Sequence, residues 1–327
     1  MFAYPASLDL LRSRINRLKA FEKCPPVYSI AESIAESAGL AGCFDIIANG
    51  EFIWQLNQWI HDRNDTVRVW TLSERHRQQL MTEAGFRADE VTVVPRHLIF
   101  KERLRKPSQN INRIVFAGRA NLVTKRLCLM IKMVAELRKI TKRPLTFEIC
   151  GVMPRASKTS PPALKALPQW VIFHGNLGPN WPEHFSHAAF LSLSQYEFED
   201  CGVSAGQAIE FGMPVVLSDW GGHHEYRTYV QALLVPALPS FTDSAENIHI
   251  RTTAPRVDRF LFGKLNSTRV AERGTKALKL IRPKPVSLQK IRSRKVSGLI
   301  GLFGPPTVSS HASPQYGLIS KYFCDAQ

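Results

Sequence analysis

The sequence predicts an α/β protein whose strands lie in parallel sheets. Short apolar runs alternate with segments whose apolar residues recur at helical spacing, as in RIVFAG (113–118) followed by CLMIKMVAELRKI. The runs LTFEICG (145–151) and WVIFHG (170–175) also end in glycine. Alternation of this kind builds a parallel sheet with covering helices. Polar residues gather just after the runs, which is where such sheets bind ligands.

The elements follow in order. In MFAYPASLDLLRSRINRLK, Leu8, Leu11, Ile15 and Leu18 form one stripe among Arg12, Arg14, Arg17 and Lys19. The stripe predicts a core-facing helix ahead of a membrane-surface one. It has no continuous apolar stretch of the kind a signal peptide or anchor carries. VRVWTL (67–72) reads as a strand. SERHRQQLMTEAGF reads as a helix, with Thr71 and Glu74 spaced as a capping box and Gly85 at its stop. EVTVVP (90–95) is the next strand, and the basic stretch RHLIFKERLRKPSQN reads as an interdomain linker.

A fresh series begins at Asn112. Its strands are 113–118, 145–151, 170–175, AAFLSLS (188–194), PVVLSD (214–219) and LLVP (233–236). Between 188–194 and 214–219 lies a helix of about two turns after Gly202, with Ser204 and Gln207 in a capping-box relation. Gly212 and Pro214 stop it. SGLIGLF (297–303) is too short to span a bilayer.

With 327 residues the chain has room for two cores, and 44% hydrophobic with 21% charged residues is ordinary for a globular protein. The net charge of +16 is concentrated: residues 251–295 hold 14 Lys and Arg against 2 Asp and Glu. The segment reads either as a solvated basic surface or as one drawn to an anionic membrane face. No zinc-finger or RNA-binding signature accompanies it, so specific nucleic-acid binding ranks lower. The 6 cysteines show no CxxC pair, which suits a reducing cytosol.

The chemistry-bearing residues sit at strand ends. RIVFAG delivers Gly118 and Arg119, and Lys125 follows just before a helix. Two such cations can clamp a diphosphate, although alone they read as an ordinary surface pair. In EDCGVSAGQAIEFGMPVV, the helix opening at Gly202, Val203 and Ser204 offers free amides to phosphate oxygens. Gly206 in the first turn costs about 1 kcal/mol against Ala, which a close ligand approach would explain. Glu199 stands ahead of the turn, within reach of sugar hydroxyls. His223-His224-Glu225 and His184/His187 show no third ligand at metal spacing.

The ordered set IVFAGRANLVTKR, FEICG, VIFHGN, SQYEFEDCGVSAGQAIEFGMPVV and DWGGHHE resembles the GT-B glycosyltransferases of the family 4 type, the group 1 glycosyltransferases. The resemblance covers roughly residues 110–237. It implies two Rossmann-like domains facing a cleft, with the nucleotide-sugar donor on the second. Arg119 and Lys125 would hold the diphosphate, aided by amides of Gly202, Val203 and Ser204. Glu199 matches the first glutamate of E-x7-E and would contact the sugar. Gly175 and Asn176 would lie near the base. The family transfers sugar with retention and usually without a metal, through leaving-group stabilisation.

Three features depart from that pattern. The spacing from Arg119 to Lys125 is one residue longer than the family's. Gln207 stands at the second acid of E-x7-E, which in the family holds ribose hydroxyls; the exchange weakens the contact by about 1 kcal/mol. The first domain is short, and no histidine lies near Glu32 where the family would have one.

The resulting expectation is a partial acceptor-side domain with linker at 1–108, a donor-binding domain at 109–250, and a basic segment and tail at 251–327. The expected activity is retaining transfer from a UDP-, GDP- or ADP-sugar to a cell-surface glycan or lipid-linked acceptor. No cofactor or metal is expected, and the expected place is cytoplasmic, peripheral at the membrane's inner face through 251–295. The alternative is a non-catalytic donor-binding or partner-binding relative.

Overall fold

The computed structural model describes residues 27–29, 43–47, 66–94, 99–103, 110–120, 125–151, 167–196, 199, 201–237, 243–263, 286–287 and 290. The N-terminal stripe (8–19), most of the Pro-containing linker stretch and SGLIGLF lie outside them. The chain divides into two compact units. Unit 1 comprises Met1–Lys101, Glu197–Gly202 and Thr275–Thr307; unit 2 comprises Glu102–Tyr196, Val203–Gly274 and Val308–Gln327.

Unit 1 carries parallel strands β1 (Val27–Ser29), β2 (Cys43–Ile47), β3 (Thr66–Thr71) and β4 (Val91–Val93). Helix α1 (Glu74–Glu83) connects β3 to β4. Its N-cap is Ser73, whose hydroxyl accepts from His76 N at 3.3 Å. The expected cap residue, Thr71, instead ends β3. A strand as apolar as VRVWT claims Thr71 for the sheet, and the next small hydroxyl takes the cap.

Unit 2 is built on six strands, all parallel. These are β5 (Arg113–Ala117), β6 (Thr146–Cys150), β7 (Val171–Gly175), β8 (Ala188–Ser192), β9 (Val215–Ser218) and β10 (Ala232–Val235). Their spatial order is β10-β9-β8-β5-β6-β7. The chain builds outward from β5 through β6 to β7, then crosses to β8 and builds the other way. β6, β8 and β9 are buried almost throughout, which is why β8 and β9 read as apolar runs and β6 does so apart from Thr146 and Glu148. β7 is an edge, and Ile172 and Phe173 on it are exposed.

Helix α2 (Leu127–Thr141) falls where helical spacing placed it, and α3 (Val203–Phe211) where the start and stop residues did. α3 ends in a Schellman arrangement: Met213 N donates to Ala208 O at 2.9 Å and Gly212 N to Ile209 O at 3.0 Å, with Gly212 at φ 87°. Ser204 lies inside the first turn, so it is not the cap residue of the expected box. Gly206 lies on the buried face with Ala205, Ala208 and Ile209.

A fourth helix, α4 (Asp243–Phe262), was not foreseen. It runs into the basic segment, and its Ile250, Ala254, Val257 and Leu261 are buried in the core shared with α2. Arg251, Arg256 and Arg259 lie on its exposed face. The first part of that segment is therefore an amphipathic helix of unit 2; residues 264–285, 288–289 and 291–295 lie outside the described residues. A short strand, β11 (Val286–Ser287), pairs antiparallel with β3 in unit 1. Among the described residues, no helix is long and apolar enough to cross a membrane.

The carboxyl ends of β5, β6 and β7 carry Gly118, Gly151 and Gly175. Gly118 N donates to Cys150 O at 2.9 Å, and Gly151 N donates to Gly175 O at 2.7 Å. A Cβ on Gly151 would sit 1.7 Å from the Gly118 carbonyl oxygen, at φ +147°. At Gly175 (φ +70°) a Cβ would meet nothing within 4 Å. Gly151→Ala should lower unfolding free energy by about 3 kcal/mol or more, because strain and overlap combine. Gly175→Ala should cost only about 1–2 kcal/mol, the left-handed backbone penalty. Urea melts of the two variants check this; equal losses would contradict it.

Candidate functional site

The sheet of unit 2 reverses its direction of growth between β5 and β8. At such a switch point the two following loops diverge, leaving a recess at the carboxyl edge. The β5 loop carries Gly118 and Arg119, and the β8 loop carries Ser194 to Tyr196.

The β8 loop is held by polar staples. Ser218 Oγ, at the end of β9, donates to Ser194 O. Tyr196 N donates to Ser194 Oγ at 3.3 Å, and Trp220 Nε1 donates to Tyr196 O at 2.8 Å. Ser194 and Ser218 are both buried. Buried hydroxyls must find partners, so these serines fix the loop rather than solvate it.

Two cations meet the ring so held. The Arg119 guanidinium carbon lies 5.1 Å from the Tyr196 ring centroid, and Lys125 Nζ lies 4.9 Å from it. Both predicted clamp residues therefore gather at one aromatic side chain at the switch point.

Lys125 owes its position to its neighbour. Arg126, the residue before α2, adopts φ 56° and ψ 41°, a left-handed conformation unusual for a side chain of this size. It is buried, with its guanidinium 3.6 Å from Glu246 of α4. Glu246 also meets Lys132 at 3.2 Å. The acid from α4 thus stands beside the turn that presents Lys125.

The other predicted residues are distributed as follows. Val203 and Ser204 open α3, whose nine residues rise about 13.5 Å and return the chain to β9. Because β9 starts at the amino edge, the α3 amides face the carboxyl edge. Gly202, at φ 62°, precedes them and clusters with unit 1, as does the half-buried Glu199. Gly175 ends β7. Asn176 Oδ1 accepts from Gly178 N at 3.0 Å, closing its own turn.

Gln207 is fully engaged across this turn. Its Nε2 donates to Pro179 O at 2.7 Å, and its Oε1 accepts from Trp181 Nε1 at 3.1 Å. It therefore ties α3 to the loop after β7, rather than completing a helix cap.

Behind β9, the 3-10 helix Gly221–Thr228 holds the paired histidines. His223 is buried with Nδ1 3.2 Å from Ser218 Oγ. His224 bridges Asp219 (2.5 Å) and Arg227 (2.8 Å). These are loop-packing roles. Burial pushes the Cys128 thiol up to about 11 and the Cys150 thiol up to about 12, with smaller contributions from Glu246 and Glu148 respectively. Neither is a thiolate nucleophile near neutral pH. Among the described residues, no group of three or more His, Cys, Asp or Glu is arranged to hold a metal ion.

Sequence reasoning missed Tyr196, Trp220 and Trp181. Tyr196 was legible only as an aromatic between a strand end and a glycine turn. Nothing in its spacing said that two cations from other elements would reach it.

Residues 111–249 match the family model described as glycosyl transferases group 1. No curated protein matches the chain. Among solved structures, the pneumococcal O-GlcNAc transferase GtfA, solved with UDP and GlcNAc, is similar at TM-score 0.50 and 16% identity. The match covers 79% of this chain and 54% of that one. TarM is similar at TM-score 0.48 and 16% identity, over 76% of this chain and 51% of that one. Anabaena HepE, solved with UDP-glucose, is similar at 0.48 and 16%, over 74% and 70%. The chain thus spans about half the length of GtfA and TarM. The family match and the GtfA likeness agree on the fold: the chain has the α/β fold of GT-B glycosyltransferases, and residues 111–249 are similar to the group 1 glycosyl transferases.

Proposed function

We propose that the protein transfers a sugar from a nucleotide-sugar donor, with retention and without a metal, to a cell-surface glycan or lipid-linked acceptor. One observation carries the reading. Arg119 and Lys125 converge on Tyr196 at the β5/β8 switch point, inside the matched glycosyltransferase domain. As the bond between the anomeric carbon and the β-phosphate oxygen breaks, negative charge gathers on the diphosphate. Fixed cations and the α3 amides stabilise that charge more than the ground state.

Glu199 takes the donor-sugar hydroxyls, and Gly118, Gly202, Val203 and Ser204 bring backbone close to the phosphates. Gly175 and Asn176 face the base. Gln207 acts through this loop, by holding Pro179 and Trp181. A UDP-sugar is the first donor to try, since the fold neighbour GtfA was solved with UDP; GDP- and ADP-sugars complete the panel. The exposed arginines of α4 and the basic run after it support attraction to an anionic membrane surface on its cytoplasmic side.

A donor present at a hundred times its Kd should stabilise the fold by about 2.7 kcal/mol, read as a thermal shift. A panel of UDP-, GDP- and ADP-sugars without any shift would overturn the enzyme reading. With a binding donor in hand, Glu199→Ala should lower kcat/KM at least about tenfold, the value of a charged hydrogen bond to the sugar. Undiminished turnover removes Glu199 from the site.

A second reading, donor binding without turnover, is favoured by Gln207, whose amide is occupied by protein partners where the family has an acid. Gln207→Ala should lower unfolding free energy by about 1–3 kcal/mol, since it takes the hydrogen-bond acceptor from the indole N–H of the buried Trp181. An unchanged urea midpoint would mean that the brace contributes nothing.

A further inference from the structure

Resting on the diphosphate reading above, we infer that Tyr196 is a positioning residue: its ring gathers Arg119 and Lys125 into one pyrophosphate-binding pair. Arg119 arrives from the end of β5, and Lys125 from the turn before α2. Residues 121–124 between them lie outside the described residues. What the described residues show in common is the ring, 5.1 Å from the Arg119 guanidinium carbon and 4.9 Å from Lys125 Nζ.

Two like charges near one point repel, and long side chains lose rotamer freedom when held together. An aromatic face opposes both effects, because its negative quadrupole attracts each cation. The ring can act this way only if it is itself fixed. Tyr196 is fixed from two sides, its N–H bound to Ser194 Oγ and its carbonyl to Trp220 Nε1. Ser194 is in turn tied to β9 through Ser218. The post that sets the cation pair is thus anchored in two adjacent strands of the sheet. An incoming diphosphate then meets both charges already gathered, without ordering them at the moment of binding.

The ring face, and not the phenol hydroxyl, is the working part. The test is calorimetric titration of the full chain with inorganic pyrophosphate, and separately with UDP, at low ionic strength. Tyr196→Leu should weaken both ligands about fivefold to thirtyfold, the loss of two cation–ring contacts. Tyr196→Phe, which keeps the face, should restore the affinity that Leu loses. In an Arg119→Gln/Lys125→Gln background, Tyr196→Leu should change nothing further. That cycle separates positioning from general damage to the fold, because a merely structural tyrosine would weaken both backgrounds alike.

The inference is overturned if Tyr196→Leu binds pyrophosphate and UDP within twofold of the unaltered protein. It is equally overturned if Phe fails to restore binding, or if Leu weakens the double-Gln background as much. If the unaltered protein binds neither ligand, the diphosphate reading falls and this inference with it. If it binds UDP and Tyr196→Leu has no effect, the diphosphate reading stands and only the role of Tyr196 fails.

Discussion

The reversal of the six-stranded sheet between β5 and β8 is the constraint on which the candidate site depends. Parallel strands need long crossovers, and right-handed crossovers set the covering helices on the two faces of the sheet. Where the direction of growth reverses, neighbouring strands send their loops apart. Arg119 leaves β5 and Tyr196 follows β8, so the adjacency of these strands brings a cation and an aromatic ring together at the carboxyl edge. The remaining features refine that placement. α4 brings Glu246 to Arg126, and the left-handed turn at Arg126 brings Lys125 in from a third element.

Such a site needs loops that do not drift. A neutral hydrogen bond contributes on the order of 1 kcal/mol net, but an orphaned buried partner costs more. The staples among Ser194, Ser218, Tyr196 and Trp220 use that asymmetry, because two of their hydroxyls, on Ser194 and Ser218, are buried. Glu148 does similar work on the other half of the sheet. Buried on β6, it meets Arg113 of β5 at 3.3 Å, His174 of β7 at 2.7 Å and the Thr146 hydroxyl at 2.9 Å. A charge inside a sheet is tolerable when both neighbouring strands supply partners. These contacts tie β5, β6 and β7 together while their glycine ends stay close enough to touch.

Much of the fold was legible because burial on both faces leaves a plain signature. The strands β5, β6, β8 and β9 are mostly apolar runs, with Glu148 the one charge inside β6, and their limits fell within a residue or two of expectation. The stop of α3 was legible for a different reason, since Gly212 supplies the positive φ that the Schellman turn requires. Caps were harder. Thr71 and Ser73 both suit a helix start, and the length of β3 selected Ser73. α4 was hidden by its own composition. Ile250, Ala254, Val257 and Leu261 keep helical spacing, but Pro255 and the surrounding arginines suggest a loose basic tail. Pro255 is tolerated on the exposed side, and the arginines simply form the solvated face.

The sequence by itself determined the α/β class, the strand series and the residue types available for holding phosphate and sugar. It could do so because periodicity, glycine conformation and motif order are local properties, written within tens of residues. Tertiary structure alone decided which of those residues meet. Arg119 and Lys125 share Tyr196 only because a strand crossing puts β8 beside β5. Gln207 reaches Pro179 and Trp181 only because α3 packs against the loop after β7. Sequence spacing carries no record of such encounters, since each depends on how separate elements settle against a common sheet.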